Sequence, residues 1–320
     1  MFPDLKGRGL FVFSDPGGAK PVLAFITMLK TLTAYKIVSD RTYSFFDDFG
    51  LDVERYKEGD ELHVFENFKP DFLFTGTSYT SKIELQFVKE AKRNGVVSYS
   101  FIDHYTKFEE RFLLNDVYVF PDNICVIDEK ARKIGLETEL PKDRFLVSGN
   151  FYHQWLRNWK PNIDKEAFFR YQNIPIGNKL LVYAPDPLSN VGGVEKYGTD
   201  EARVFKDIKY CLDELDDKSY TLFIKMHPNQ KREILEAVTP LNDLKYIIAD
   251  DKVDCNSLLF YSDMVIGIFS SILIESVVMN KKVLRCLIGY TNTDPLESNN
   301  IGIVVRSIDE MKHEFNSLFS

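Results

Sequence analysis

Apolar residues along this chain follow two alternating patterns. Short unbroken runs bounded by turn residues alternate with longer stretches in which apolar and charged side chains recur at helical spacing. The first pattern fits strands buried on both faces and the second fits amphipathic crossover helices. Together they predict a mostly parallel β-sheet built from βα units. In the first half the strands fall on LFVFS (10–14), KIVSD (36–40), DFLFTGTS (71–78), VVSYSFID (96–103), NICVID (123–128) and RFLVSG (144–149). A loop, DPGGA, precedes a helix over KPVLAFITMLKTL. A second helix over SKIELQFVKEAKRNG stops at Gly95, a residue suited to a left-handed C-terminal position. The second half repeats the theme with strands KLLVYAPDP (179–187), YTLFIKMHP, KYIIAD (245–250), MVIG (264–267) and KVLRCL (282–287). Its helices are expected over about 200–216, from near Gln230, over NSLLFYSD, over SSILIESVVMN and from about 307 onward.

The repetition is architectural, with no repeat of solenoid type. A polar connector, FYHQWLRNWKPNIDK (151–165), separates the halves, and 320 residues suit two domains of ordinary size. The expected domains are 1–152 and 153–320. The fold class is therefore α/β, two Rossmann-like parallel-sheet domains facing a cleft, with ligands at the strand C-termini that border it. At 44% hydrophobic and 28% charged residues the chain has ample core and is not disordered. A formal net charge of -8 argues against nucleic acid and anionic membrane as whole-molecule partners, while leaving a small anion open. The four cysteines match no zinc or CxxC spacing and read as small buried groups in a reducing compartment. The most apolar stretch, residues 264–279, is too short and too polar to span a bilayer. The N-terminus carries no secretory pattern. The location expected is the cytoplasm, with the inner face of the membrane and peripheral association there left open.

Candidate chemistry clusters at strand ends. In LFIKMHPNQ an apolar strand stops at His227-Pro228, because proline cannot donate to a sheet ladder. Lys225, two residues upstream, points the same way as His227 if the strand continues. In GIFSSILIE a strand ends at Gly267 and Ser270 and Ser271 open a helix. Its free amides and positive dipole end suit a phosphate. Glu275 follows one turn along the same face, either accepting from ribose hydroxyls or facing solvent. If those two strands are neighbours, His227 and the serines reach one phosphate. In FSDPGGAKP, Asp15 ends a strand and Gly17 and Gly18 form a turn that either admits a sugar or acceptor or is simply tight, without the spacing of a dinucleotide or phosphate loop. In FIDHYTKFEERF, Asp103 oriented by His104 is the candidate base, against a plain helix cap followed by a solvated acidic face. No metal site and no cofactor are expected.

KMHPNQ followed by IFSSILIE resembles the His-Pro and Ser-Ser motifs of bacterial sialyltransferases and Kdo-transferase-like enzymes, and the order of elements resembles the GT-B fold. The resemblance implies an acceptor-side domain at 1–152 and a nucleotide-sugar-binding domain at 153–320. It implies an inverting, metal-independent glycosyltransferase moving a nonulosonic or Kdo-like acid from a CMP-activated donor to a surface-glycan acceptor. His227, Pro228, Ser270, Ser271, Glu275 and Lys225 then hold the donor and Asp103 is the base, with Asp15 second. Gly17, Gly18 and His104 lie on the acceptor or sugar side. UDP-sugar 2-epimerases share this shape, a Ser/Gly helix start and a downstream glutamate, loosely echoed in TDPLESNN (293–300). A CDP-polyol phosphotransferase and a non-catalytic nucleotide-sugar-binding subunit are also compatible with these motifs.

Overall fold

A computed structural model describes residues 4–227, 230–237, 245–249, 253–297 and 300–320. The chain divides into two compact units, Met1–Asn158 and Trp159–Ser320. The expected boundary at 152/153 lies within the helix Phe151–Leu156, a few residues before this division.

The first unit runs β1 (Gly7–Phe13), α1 (Pro16–Met28), β2 (Leu32–Ser39), β3 (Glu54–Arg55), α2 (Asp60–Phe68), β4 (Phe72–Thr75) and α3 (Ile83–Arg93). It continues with β5 (Val97–Ile102), β6 (Leu113–Leu114), β7 (Val117–Tyr118), β8 (Asn123–Val126), α4 (Glu129–Leu136), β9 (Phe145–Val147) and α5 (Phe151–Leu156). Seven strands form one sheet in the order β3-β2-β1-β4-β5-β8-β9, every pair parallel. β6 and β7 form a small antiparallel hairpin. Its turn residues Asn115 and Asp116 both sit at positive φ, as a two-residue turn of the favoured twist requires. α5 belongs here because its aromatic face is consumed here. Phe151 packs 4.5 Å from Phe25 and Trp155 stacks 4.4 Å from Phe49. Such pairs contribute roughly 0.5–1.5 kcal/mol beyond their area burial.

The second unit runs α6 (Lys165–Tyr171), β10 (Lys179–Ala184), α7 (Gly193–Tyr197), α8 (Glu201–Asp213), β11 (Tyr220–Ile224), α9 (Arg232–Glu236) and β12 (Tyr246–Ile248). Then come α10 (Cys255–Tyr261), β13 (Met264–Gly267), α11 (Ser271–Val278), β14 (Lys282–Cys286), β15 (Ile303–Val305) and α12 (Ile308–Phe319). Its sheet order is β12-β11-β10-β13-β14-β15, again parallel throughout. The inner strands are buried along their length, as the unbroken apolar runs require.

Each sheet is wound outward in both directions from its middle. In the first unit the chain builds β1-β2-β3 to one side and β4-β5-β8-β9 to the other. In the second it builds β10-β11-β12 and then β13-β14-β15. Connections leaving opposite faces open a crevice beyond the carboxyl ends of the two innermost strands, between β1 and β4 and between β10 and β13. Those two places are where the candidate residues gather.

Candidate functional site

In the first unit, β1 ends at Phe13 and α1 starts at Pro16 with Asp15 as its N-cap, so the expected DPGGA loop is the helix's opening turn. Proline is pre-organised for that first helical position. Gly17 and Gly18 therefore adopt helical backbone and make no turn of their own; they are glycines because of what they touch. A Cβ on Gly17 would collide with Asp103 Oδ2, and one on Gly18 would meet the Gly76 backbone at 3.2 Å. The helix start thus lies directly against the ends of β4 and β5.

Two arginine–carboxylate pairs flank this point. Arg41 donates to Asp15 Oδ1 at 2.6 Å and to Thr80 Oγ1 at 2.8 Å, and Thr80 donates to the same Asp15 oxygen at 2.7 Å. Arg111 donates to Asp103 Oδ1 at 2.8 Å, to Thr77 Oγ1 at 2.9 Å and to the Thr77 carbonyl at 3.1 Å. His104 does not orient Asp103, contrary to expectation; its Nδ1 lies 2.9 Å from Thr106 Oγ1. Behind Asp15, Glu84 in the first turn of α3 accepts from the Ser14 amide at 3.0 Å. Burial pushes its pKa up to about 8, with Asp40 and Asp15 adding to the rise. At neutral pH it is therefore largely protonated.

In the second unit Asp186 follows β10, and its Oδ2 accepts from the amides of Phe269 at 3.1 Å and Ile268 at 3.3 Å. It is buried, and burial raises its pKa to about 6 against the lowering effect of those amides and of the Ser270 amide. The carboxylate therefore occupies the turn that leads into α11. Ser270 is the N-cap of that helix without a side-chain capping bond, and Ser271 is exposed. The first helical amides, those of Ser271 and Ile272, point out of the helix end. The fully buried Arg285 of β14 donates to the Ile268 carbonyl at 3.0 Å and pairs with Asp294, which also accepts from the Leu296 amide at 2.9 Å. Burial alone would raise the Asp294 pKa, but the Arg285 and Leu296 bonds hold it below the ordinary carboxylate value. Glu201, at the start of α8, fixes the loop after Asp186 by accepting from the Ser189 amide at 3.0 Å. This is a rigid, charge-braced helix start.

Solved structures share this fold. UDP-GlcNAc 2-epimerase from Methanocaldococcus jannaschii matches with a TM-score of 0.66 at 12% identity, over 98% of this chain and 91% of that one. Staphylococcus aureus MnaA in a co-structure with UDP matches at 0.62 and 18% identity, over 99% and 88%. The Neisseria meningitidis UDP-GlcNAc 2-epimerase bound to UDP-GlcNAc matches at 0.59 and 16% identity, over 98% and 91%. The likeness is one of fold. No family model and no curated protein matches the chain.

These matches correct the expected identity. The similarity over the whole chain is to UDP-GlcNAc 2-epimerases, an isomerase class, and not to sialyltransferases or Kdo transferases. The expected glycosyltransferase activity, its CMP-sugar donor and its glycan acceptor are overturned with it, since these neighbours are named with UDP and UDP-GlcNAc. The α/β GT-B-like architecture of two Rossmann-like units stands. Among the described residues no helix is long and apolar enough to cross a membrane.

The geometry also revises how the residues group. β11 and β13 are not neighbours, because β10 lies between them. The carboxyl end carrying His227 is thus two strand spacings, roughly 10 Å, from the one carrying Ser270 and Ser271. β11 ends at Ile224, so Lys225 and His227 lie beyond it and strand alternation no longer aligns them. Lys225 still donates its amide to the Tyr183 carbonyl at 2.8 Å, and the His227 carbonyl accepts from the Gln230 amide at 2.9 Å. Burial lowers the His227 pKa below its ordinary value, which favours the neutral imidazole. Pro228 lies outside the described residues. Glu275, one turn into α11, is buried and does not face solvent. In TDPLESNN it is Asp294, paired with Arg285, that is engaged, while Glu297 is exposed.

Four functional candidates escaped the sequence reading: Arg111, Asp186, Arg285 and Glu84. Arg285 had a signal, a lone cation in the otherwise apolar run KVLRCL. Asp186 had one too, an acid directly after a buried strand at a site of expected ligand binding. Arg111 and Glu84 sit among other charges, where nothing in the spacing marks the buried one.

Proposed function

We propose that this protein is a UDP-sugar isomerase that inverts the configuration at C2 of a UDP-linked hexose or amino sugar. The observation that carries the reading is full-length likeness of fold to UDP-GlcNAc 2-epimerases, among them structures named as complexes with UDP-GlcNAc and UDP. In the second unit the diphosphate is assigned to the start of α11, where the Ser270 and Ser271 hydroxyls and the amides of Ser271 and Ile272 supply donors to an anion. Asp186 already fills the preceding amides, so the phosphate sits on the helix side of them. His227 and Lys225 are assigned to the same anion from beyond the end of β11, one strand removed from β13, and buried Glu275 supports the helix from within. In the first unit Asp103 is assigned the proton transfer, with Asp15 as second carboxylate and Gly17 and Gly18 as the bare surface beside them. Inversion at C2 by proton transfer balances if the C2–H electron pair forms a C1=C2 double bond as the C1–O bond to UDP breaks. UDP and a proton then add back with the proton on the opposite face, and a positioned carboxylate takes or returns that proton. The cytoplasm fits this reading, since Cys125, Cys211 and Cys286 are buried free thiols and Cys255 is a partly buried one.

Thermal melting with UDP, CMP, CDP and GDP tests the assignment. A ligand at about a hundred times its Kd stabilises the folded form by about 2.7 kcal/mol. UDP is expected to raise Tm most. A larger shift with CMP would refute the proposal.

A further inference from the structure

We propose that Arg111 is the positioning residue for Asp103, holding that carboxylate so that one oxygen faces the start of α1. The inference rests on the assignment of proton transfer to Asp103. Three bonds from one guanidinium nitrogen tie together two strand ends: the Thr77 carbonyl and hydroxyl just past β4, and Asp103 Oδ1 just past β5. Thr77 is itself anchored, donating its hydroxyl to the Phe101 carbonyl at 2.9 Å. The arginine stands behind the carboxylate. The Arg111 side chain is 7% exposed and the Asp103 side chain 21%, so the cation is interior and the acid lies between it and solvent. With Oδ1 committed to Arg111, Oδ2 is left over Gly17, close enough that no side chain larger than hydrogen fits there.

A buried ion pair is by itself a poor source of stability, because desolvation offsets the Coulomb attraction. The arrangement makes better sense as orientation. A carboxylate on a short side chain has two rotatable bonds, and fixing one oxygen fixes the direction of the other. The expected orienting partner, His104, is turned to Thr106 instead. Among the described residues, Arg111 is the cation paired with Asp103.

The test measures kcat and KM for isomerisation of UDP-GlcNAc by wild type, Arg111→Met, Arg111→Lys, Arg111→Ala and Asp103→Asn, each first checked for a native melting transition and for UDP binding. Misplacing a catalytic group by about 1 Å costs on the order of 10²-fold in rate. Arg111→Met is expected to lose about that much in kcat with KM within about threefold. Arg111→Lys, which returns a cation but not the fork, is expected to recover part of the loss, and Arg111→Ala to be rescued by added guanidinium at concentrations below those that unfold it. A purely structural role would lower melting without a selective kcat effect and without rescue. If Asp103→Asn is inactive while Arg111→Met keeps kcat within about twofold, the positioning role is wrong and the proton-transfer reading survives. If Asp103→Asn retains full kcat, or wild type does not isomerise UDP-GlcNAc, the underlying reading fails and this inference falls with it.

Discussion

Replacing Asp186 by asparagine isolates the energetic consequence of putting a carboxylate under the start of α11. The Ile268 and Phe269 amides both donate to one oxygen, Oδ2, so the single carbonyl oxygen of asparagine can accept both. The Ser270 amide also donates to this carboxylate, so the substitution removes one acceptor oxygen as well as the charge, and only the charge makes the difference depend on pH. The Asp186 pKa is about 6 in the folded protein, raised from 3.8 chiefly by burial. A carboxyl with a raised folded pKa binds its proton more tightly when folded. Its favourable contribution is complete below the unfolded value and is lost as pH rises through the folded one. A shift of about two units corresponds to about 3 kcal/mol, of which about 1 kcal/mol is already gone at pH 4.5. Relative to wild type, Asp186→Asn is therefore expected to gain about 2 kcal/mol between pH 4.5 and pH 7.5. Urea unfolding at several pH values, read as the variant-minus-wild-type difference in ΔG, measures this directly. A difference independent of pH over that window would show that the Asp186 pKa is not shifted by folding, and one that moves against the variant as pH rises would show that the amides outweigh burial and favour the charged form.

The same sign applies to Glu84, whose pKa rises from 4.5 to about 8. Glu84→Gln is expected to match wild type in stability below pH 4.5 and to exceed it above pH 8 by several kcal/mol, roughly 4 before relaxation, in the same unfolding experiment. Asp294→Asn leaves Arg285 buried without its anionic partner and is expected to destabilise by about 3–5 kcal/mol, whereas replacing both by apolar residues of similar volume recovers most of the loss in Tm. For the neutral His227 proposed to donate to phosphate, His227→Ala is expected to weaken UDP binding by about tenfold, or 1.4 kcal/mol. His227→Gln, which retains a neutral donor, should keep most of that affinity in calorimetric titration at pH 7.5.

The strands were readable because parallel sheets bury both faces. Unbroken apolar runs such as those of β10, β11 and β13 have no competing interpretation once helices separate them. Two short edge strands were not read: Glu54–Arg55 carries no apolar residue, and Ile303–Val305 is apolar but only three residues long. The start of α1 was misjudged because two glycines after a proline look like a loop. Only the positions of Asp103 and Gly76 reveal that they are bare for contact. The site was legible in part. Strand-end position marked Asp15, Asp103 and the Ser270-Ser271 helix start, but sequence carries no information on sheet order. The insertion of β10 between β11 and β13 is what separates His227 from the serines. The donor base was misjudged for a related reason: His-Pro and Ser-Ser describe strand and helix ends that a whole class of folds shares.

The most direct test of the proposed isomerase is to incubate the purified protein with UDP-GlcNAc alone in D2O and follow the C2 proton by NMR. The account predicts loss of that resonance, with deuterium retained at C2 and a second UDP-sugar accumulating, and no reaction with a CMP-linked sugar supplied alone. An unchanged C2 signal after many hours, alongside transfer or hydrolysis of a CMP-linked sugar, would contradict it.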